Sequence, residues 1–248
     1  SGRALYKLVD SDDRLTHYTI EGVHKSADET AVAAADLMKD GGVALVASAH
    51  SSVEEQFYYK AIAEQSGAKV SLVSHYGEGD GILQSEDRTP NLRGALLTGL
   101  IRKLPDADLS ALGSSIDAGE VKTLFVVNED VTTLGLSKEQ LAKVKLIYVG
   151  THTNETSMIA NVVIPSLSVF EKEGSFVNVS FRLQAFKAAV PGPAGILPDY
   201  QVLEKVLAPL SDSQASVVNL DLLWAKIAES NSAFKGLAWC QIPADGVA

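Results

Sequence analysis

Apolar and polar positions alternate along the chain in blocks of two kinds. Val43-Ala-Leu-Val-Ala47, Thr123-Leu-Phe-Val-Val127 and Leu146-Ile-Tyr-Val149 are apolar at nearly every position. Continuous runs of that length fit strands covered on both faces, as in a parallel sheet. Val70-Ser-Leu-Val73 and Val162-Val-Ile-Pro165 predict two more, the last ended by its proline. Between the strands the period becomes helical. Ser26 and Glu29 are spaced as a capping box, opening a stripe through Val32, Ala35, Leu37 and Met38 that stops at Gly41-Gly42. Ser52 and Glu55 form a second such box, and Gly67 ends the helix predicted from Val53 to Gln65. Further helices are expected over 92–103, 109–118, 137–144, 200–208 and 220–229. Residues 1–25 have no helical period and predict a loose hairpin or extended arm. Residues 26–248 then read as one α/β domain, a doubly wound, mostly parallel sheet.

Composition narrows the function. With 21 basic and 31 acidic side chains in 248 residues, the net charge is −10, which argues against a nucleic-acid partner. No apolar run has the length of a membrane span, and the first apolar stretch is broken by Lys7, Asp10, Asp12, Asp13 and Arg14, unlike a signal peptide. Cys240 is the only cysteine, so these residues cannot ligate an iron–sulfur cluster or a cysteine-rich zinc site. A cytoplasmic location is the expectation.

Candidate chemistry gathers where predicted strands end. Ser48-Ala-His50-Ser-Ser52 follows the first strand, at an edge where α/β sheets bind ligands, although helix capping alone accounts for Ser51 and Ser52. Asn128-Glu129-Asp130 and Thr151-His152-Thr-Asn154-Glu155-Thr156 follow two adjacent strands, and two polar loops side by side make a crevice. The plain alternative is that such loops are polar anyway and that Asn154 or Thr156 caps a turn. Gly77-Glu-Gly-Asp-Gly81 has neither phosphate-loop spacing nor a lysine, and reads as a flexible loop. In Glu171-Lys-Glu-Gly174-Ser-Phe-Val-Asn178-Val-Ser-Phe-Arg182 a strand is expected around Asn178, with Arg182 pairing Glu171 or Glu173 at a structural corner. The five histidines are scattered without metal spacing.

Glu155-Thr-Ser-Met-Ile-Ala-Asn-Val-Val-Ile-Pro165 followed by Glu171, Gly174, Asn178, Arg182 and Gln184 resembles a motif of the molybdopterin oxidoreductase superfamily. There a threonine-bearing loop leads into an Ala-Asp-Val-Val-Leu-Pro strand and then into Glu, Gly-Thr, Asn, Gly-Arg and Gln in the same order. This chain departs from it at Asn161, Ser175 and Ser180-Phe181. Val43–Phe57 is similar to the same superfamily's strand, polar turn and paired-glutamate helix. Within the superfamily, Val126-Val-Asn-Glu-Asp130 looks most like the large iron–sulfur subunits of respiratory NADH–quinone oxidoreductase, complex I. Gly2-Arg3, Tyr6 and Asp13-Arg14-Leu15 resemble the stretch after the last cluster cysteine of those large subunits.

The resemblance implies a formate dehydrogenase/DMSO reductase-like fold. It also implies a non-catalytic domain supporting electron transfer from NADH to quinone. Iron–sulfur clusters would lie in the neighbouring part of the large subunit, with no cofactor in this chain and no molybdopterin. Partners would be the other peripheral-arm subunits of complex I, with no direct membrane insertion and a place peripheral to the inner membrane. The former cofactor crevice would comprise His50, Asn128, Glu129, Thr151, His152, Asn154, Glu155, Asn178 and Arg182, in vestigial or structural roles. The alternatives are a fragment of an active molybdopterin-dependent oxidoreductase such as a formate dehydrogenase, or a free-standing nucleotide-binding α/β protein.

Overall fold

A computed structural model describes residues 6–104, 109–243 and 245–247. Gly2 and Arg3, which carry part of the resemblance, lie outside the described residues. The strands are β1 (Thr19–Ile20), β2 (Val23–His24), β3 (Val43–Ser48), β4 (Lys69–Val73), β5 (Thr123–Val127), β6 (Lys145–Gly150), β7 (Val162–Pro165), β8 (Gly174–Val177) and β9 (Leu183–Phe186). The helices are α1 (Ala27–Lys39), α2 (Val53–Ser66), α3 (Leu92–Thr98), α4 (Ser110–Asp117), α5 (Lys138–Leu141), α6 (Glu155–Met158), α7 (Asp199–Leu210) and α8 (Leu220–Ser230).

The first seven strands form one sheet in the order β2-β1-β7-β6-β5-β3-β4. β7, β6, β5, β3 and β4 run parallel, with Leu45 beside Phe125 and Phe125 beside Ile147, while β1 adds antiparallel to β7. The chain is therefore a doubly wound α/β fold. Period-two geometry explains the wholly apolar strands, because alternate residues enter different cores. Leu45, Ala47, Phe125, Val127, Ile147 and Val149 pack with Tyr58, Ile62, Val202 and Trp224 from α2, α7 and α8. Ala44, Val46, Leu124, Val126 and Leu146 face the other way, onto Leu112, Ile116 and Leu141 of α4 and α5.

Both expected capping boxes form, at Ser26–Glu29 and Ser52–Glu55. Two local readings change. The helix expected over 92–103 stops at Thr98, where Gly99 turns left-handed at φ 77°. Its cap residue Asn91 makes no capping bond because its side chain serves the tertiary structure. Nδ2 donates to the Ser51 carbonyl and Oδ1 accepts from the Val177 amide. The strand expected around Asn178 ends one residue earlier. The Asn178 Oδ1 accepts from the Ser180 and Arg182 amides and folds the chain into the β8–β9 turn, where Phe181 has φ 60°.

Candidate functional site: a crevice at the switch point

Connections leave β3 and β5 toward opposite edges of the sheet, so a gap opens at their carboxyl ends. Sheets of this kind hold ligands at that point. Ser48 closes β3 and is fully buried; its Oγ donates to Glu129 Oε1 at 2.5 Å and accepts the His50 amide at 3.2 Å. Glu129 Oε2 meets His75 Nε2 at 3.1 Å, and the His50 and His75 rings stand 5.7 Å apart. Burial pushes the Glu129 carboxyl above the usual range, against the bonds from Ser48 and His75. Burial also lowers His50, with His75 adding to the effect and Asp87 opposing it. Asn128 takes the left-handed conformation, φ 55°, which asparagine tolerates better than most residues.

The crevice encloses about 410 Å³, within the range of roughly 300–1,000 Å³ seen for small-molecule pockets. His50, Asn128 and Thr151 line it together with Lys172, Ser168 and an apolar wall that includes Leu8, Pro90 and Phe176. The Ser168 hydroxyl is buried without a hydrogen-bond partner among the described residues.

Lys172 is not a free cation. Its ammonium lies between Glu55 and Asp199, bonding the former and reaching the latter at 2.5 Å, with both acids buried and the lysine at the crevice wall. One cation cannot ionise both acids, so burial and the neighbouring Asp199 carboxylate hold Glu55 up to about 8. Burial also opposes ionisation of Asp199, but Lys172 and the hydrogen bonds it accepts outweigh burial and hold it below the ordinary range. Glu54 is buried beside this group. Its carboxylate accepts the Ser175 amide at 3.0 Å, the Ser175 hydroxyl at 2.9 Å and the Trp224 indole N–H at 2.8 Å.

A strap from Tyr6 to Tyr18 crosses this end of the sheet. Arg14 pairs with Glu171 at 2.7 Å, both buried, and also donates to the Thr151 carbonyl at 3.2 Å. The Thr153 amide donates to the Asp13 carbonyl, and Leu8 reaches the crevice wall.

The structure thus brings His50, Asn128 and Thr151 together, with Glu129 directly behind them. The other expected crevice residues lie elsewhere. His152 faces the strap, its Nε2 3.1 Å from the Lys7 carbonyl. Asn154 caps α6 and donates to the Tyr148 hydroxyl at 2.8 Å, and Glu155 pairs with Lys138 on the surface. Asn178 shapes the β8–β9 turn, and Arg182 donates to the Asp245 carbonyl rather than to Glu171 or Glu173. Sequence reasoning missed His75, Glu55, Lys172 and Asp199. A carboxylate in a first helical turn is so ordinary that Glu55 gave no signal beyond its cap.

Fold and crevice together define a doubly wound α/β domain with its ligand edge at a switch point. The chain belongs to the molybdopterin oxidoreductase family, whose model matches residues 23–208. It is 25% identical over 150 residues to the F420-dependent formate dehydrogenase 1 subunit alpha of Methanococcus maripaludis, covering 58% of this chain and 22% of that one. It is 33% identical over 61 residues to the mitochondrial NADH-ubiquinone oxidoreductase 78 kDa subunit of Neurospora crassa, covering 25% of this chain and 8% of that protein. The chain therefore matches a fifth or so of the first relative's length and less of the second. A chain of the formyltransferase/hydrolase complex from Methylorubrum extorquens, solved with methylofuran, shares the fold at a TM-score of 0.51 and 13% identity, covering 79% of this chain and 99% of that one.

Among the described residues, no helix is long and apolar enough to cross a membrane. No group of three or more His, Cys, Asp or Glu side chains is placed to hold a metal there.

Proposed function

We propose that this chain is a non-catalytic, scaffolding domain of the large iron–sulfur subunit of an NADH–quinone oxidoreductase. It supports electron transfer from NADH to quinone by holding the cluster-bearing part of that large subunit, where the iron–sulfur clusters lie. Its partners are the other peripheral-arm subunits of complex I, and its place is the cytoplasmic side, peripheral to the inner membrane through the complex.

The observation carrying this reading is the charge inside the crevice. A dinucleotide-bearing pterin needs amide donors and positive charge for its phosphates. The crevice offers Lys172, whose charge is already neutralised by Asp199 and whose ammonium is bonded to Glu55, and the acidic Glu129 lies directly behind its wall. Leu8 of the strap adds an apolar wall. These residues do not fit that group. The local likeness to the Neurospora crassa 78 kDa protein supports the same reading.

A second reading, part of an active pterin-dependent oxidoreductase such as a formate dehydrogenase, is favoured by the longer match to a formate dehydrogenase alpha subunit. Metal and pterin analysis of the full-length protein from its native cell separates the two. The scaffold reading expects molybdenum and tungsten far below stoichiometry, no pterin fluorescence, and co-purification with NADH-oxidising activity toward ferricyanide. Stoichiometric metal with pterin would establish the second reading instead.

A further inference from the structure

The glycine-rich segment between β4 and α3 is not the flexible loop its composition predicts. Its two arms are tied by Gly77 N–H to the Glu86 carbonyl at 2.9 Å and by Arg88 N–H to the His75 carbonyl at 2.8 Å. Asp80 Oδ1 accepts the amides of Ile82, Leu83 and Gln84 at 2.9, 2.9 and 2.8 Å, which folds the tip into a fixed turn. Arg88 reaches back to the Glu78 carbonyl at 2.5 Å. At its root His75 is bonded to Glu129, and Pro90 forms part of the crevice wall.

This built hairpin holds two aliphatic side chains away from the protein: Ile82 is 85% exposed and Leu83 is 93% exposed. Adjacent large aliphatics held in water by three backbone bonds are a contact surface rather than stray apolar residues. Glu78, Asp80 and Glu86 are exposed on the same hairpin, against Arg88, which is turned back onto the Glu78 carbonyl. Asp87 lies at the base, paired with Tyr76 and bonded to Thr89. An acidic collar around an apolar tip fits an apolar pocket rimmed with lysine or arginine. It disfavours an anionic lipid surface. A second copy of the chain is disfavoured by the net charge of −10 that each would carry.

We infer that the 75–91 hairpin is a docking knob for a neighbouring protein chain, with Ile82 and Leu83 entering a basic-rimmed apolar pocket on that partner. The inference rests on the reading of this chain as part of an assembly, and it adds which surface makes the contact.

The test uses the full-length protein, tagged in its native cell. Native-gel size is compared for wild type, Ile82→Asp/Leu83→Asp and Glu78→Lys/Glu86→Lys, with a photoreactive phenylalanine analogue placed separately at position 83. Wild type is expected in a large particle. The aspartate pair should weaken retention by about tenfold or more, equivalent to about 1.4 kcal/mol. The lysine pair should weaken it less, and more steeply at low salt than at high salt. Thermal melting should be unchanged in both, because the side chains contribute no core. The cross-link should fall on another chain, at a peptide pairing apolar residues with Lys or Arg. Full retention of the aspartate pair in an intact particle, or cross-links to lipid or to the chain itself, would overturn the knob and leave the scaffold reading standing. Wild type running as a free chain would overturn both.

Discussion

Two groups of buried acids flank the same crevice, and they are built in opposite ways. Around Lys172, the Glu55 and Asp199 carboxylates and the nearby Glu54 are sealed among α2, α7, α8 and the β7–β8 connection, with every acid bonded. Around Glu129, one carboxylate is shared between a buried serine and a half-exposed histidine at the foot of a projecting hairpin. Removing a partner from the first group strands a buried charge. At the crevice, solvent can replace the histidine. Burial raises acids in both groups, and both join distant elements, but only the first does so around a lysine cation.

The largest test of this contrast is Lys172→Met. It leaves Glu55 and Asp199 facing each other without a cation, and chemical denaturation should show a loss of about 3–5 kcal/mol. A loss under about 1 kcal/mol would break the distinction. Glu54→Leu comes next. It orphans two donors on Ser175 and the Trp224 indole, with an expected loss of about 2–3 kcal/mol by the same measurement.

A smaller effect is a pH dependence of unusual sign. Glu55 is held up to about 8, and Glu54 and Glu129 are raised as well. The native state therefore keeps protons that the unfolded chain releases above the ordinary carboxylate range. Between about pH 5 and 8 these three acids keep more protons in the native state. His50, held below an ordinary histidine, works against them in the same window. With three groups against one, unfolding free energy falls as pH rises, by about 1–3 kcal/mol. Asp199 is lowered, and its stabilisation is already complete above its ordinary range, outside that window. Urea titrations at pH 5.5 and 8 check the direction; equal or greater stability at pH 8 would contradict it.

The smallest effect belongs to the crevice. Glu129→Gln still accepts the Ser48 hydroxyl, so it should change stability by about 1 kcal/mol or less. The His50 ring, followed by NMR, should titrate below an ordinary histidine and rise part of the way back in His75→Ala, because burial is its first cause and His75 its second.

How legible these groups were in the sequence follows from the range over which each signal acts. The strands at 43–48 and 123–127 announce themselves because residues 43–47 and 124–127 each enter one of two cores. Ser26–Glu29 and Ser52–Glu55 are equally plain, since a capping box closes within four residues. Lys172 and Glu55 lie 117 positions apart, and nothing local marks either as the other's partner. The same limit misplaced His152, Asn154 and Glu155. Their loop does stand on the ligand edge, but side-chain direction depended on the strap at Lys7, on the Tyr148 hydroxyl and on Lys138. Composition misled at 75–91, where glycine and aspartate build a fixed turn rather than slack chain.

Glu55 gives one oxygen to the Ser52 amide, starting α2, and the other to Lys172 in the β7–β8 connection. One side chain thus belongs both to a helix start and to a tertiary lock. Helix ends usually fray independently of the rest of a protein, exchanging their amide hydrogens through small local openings. Here the first turn of α2 cannot open without releasing Lys172 and, through it, Asp199 at the start of α7. The amides of Ser52, Glu55 and Leu167 should therefore exchange in a single opening event, with a helix terminus as slow as the core behind it.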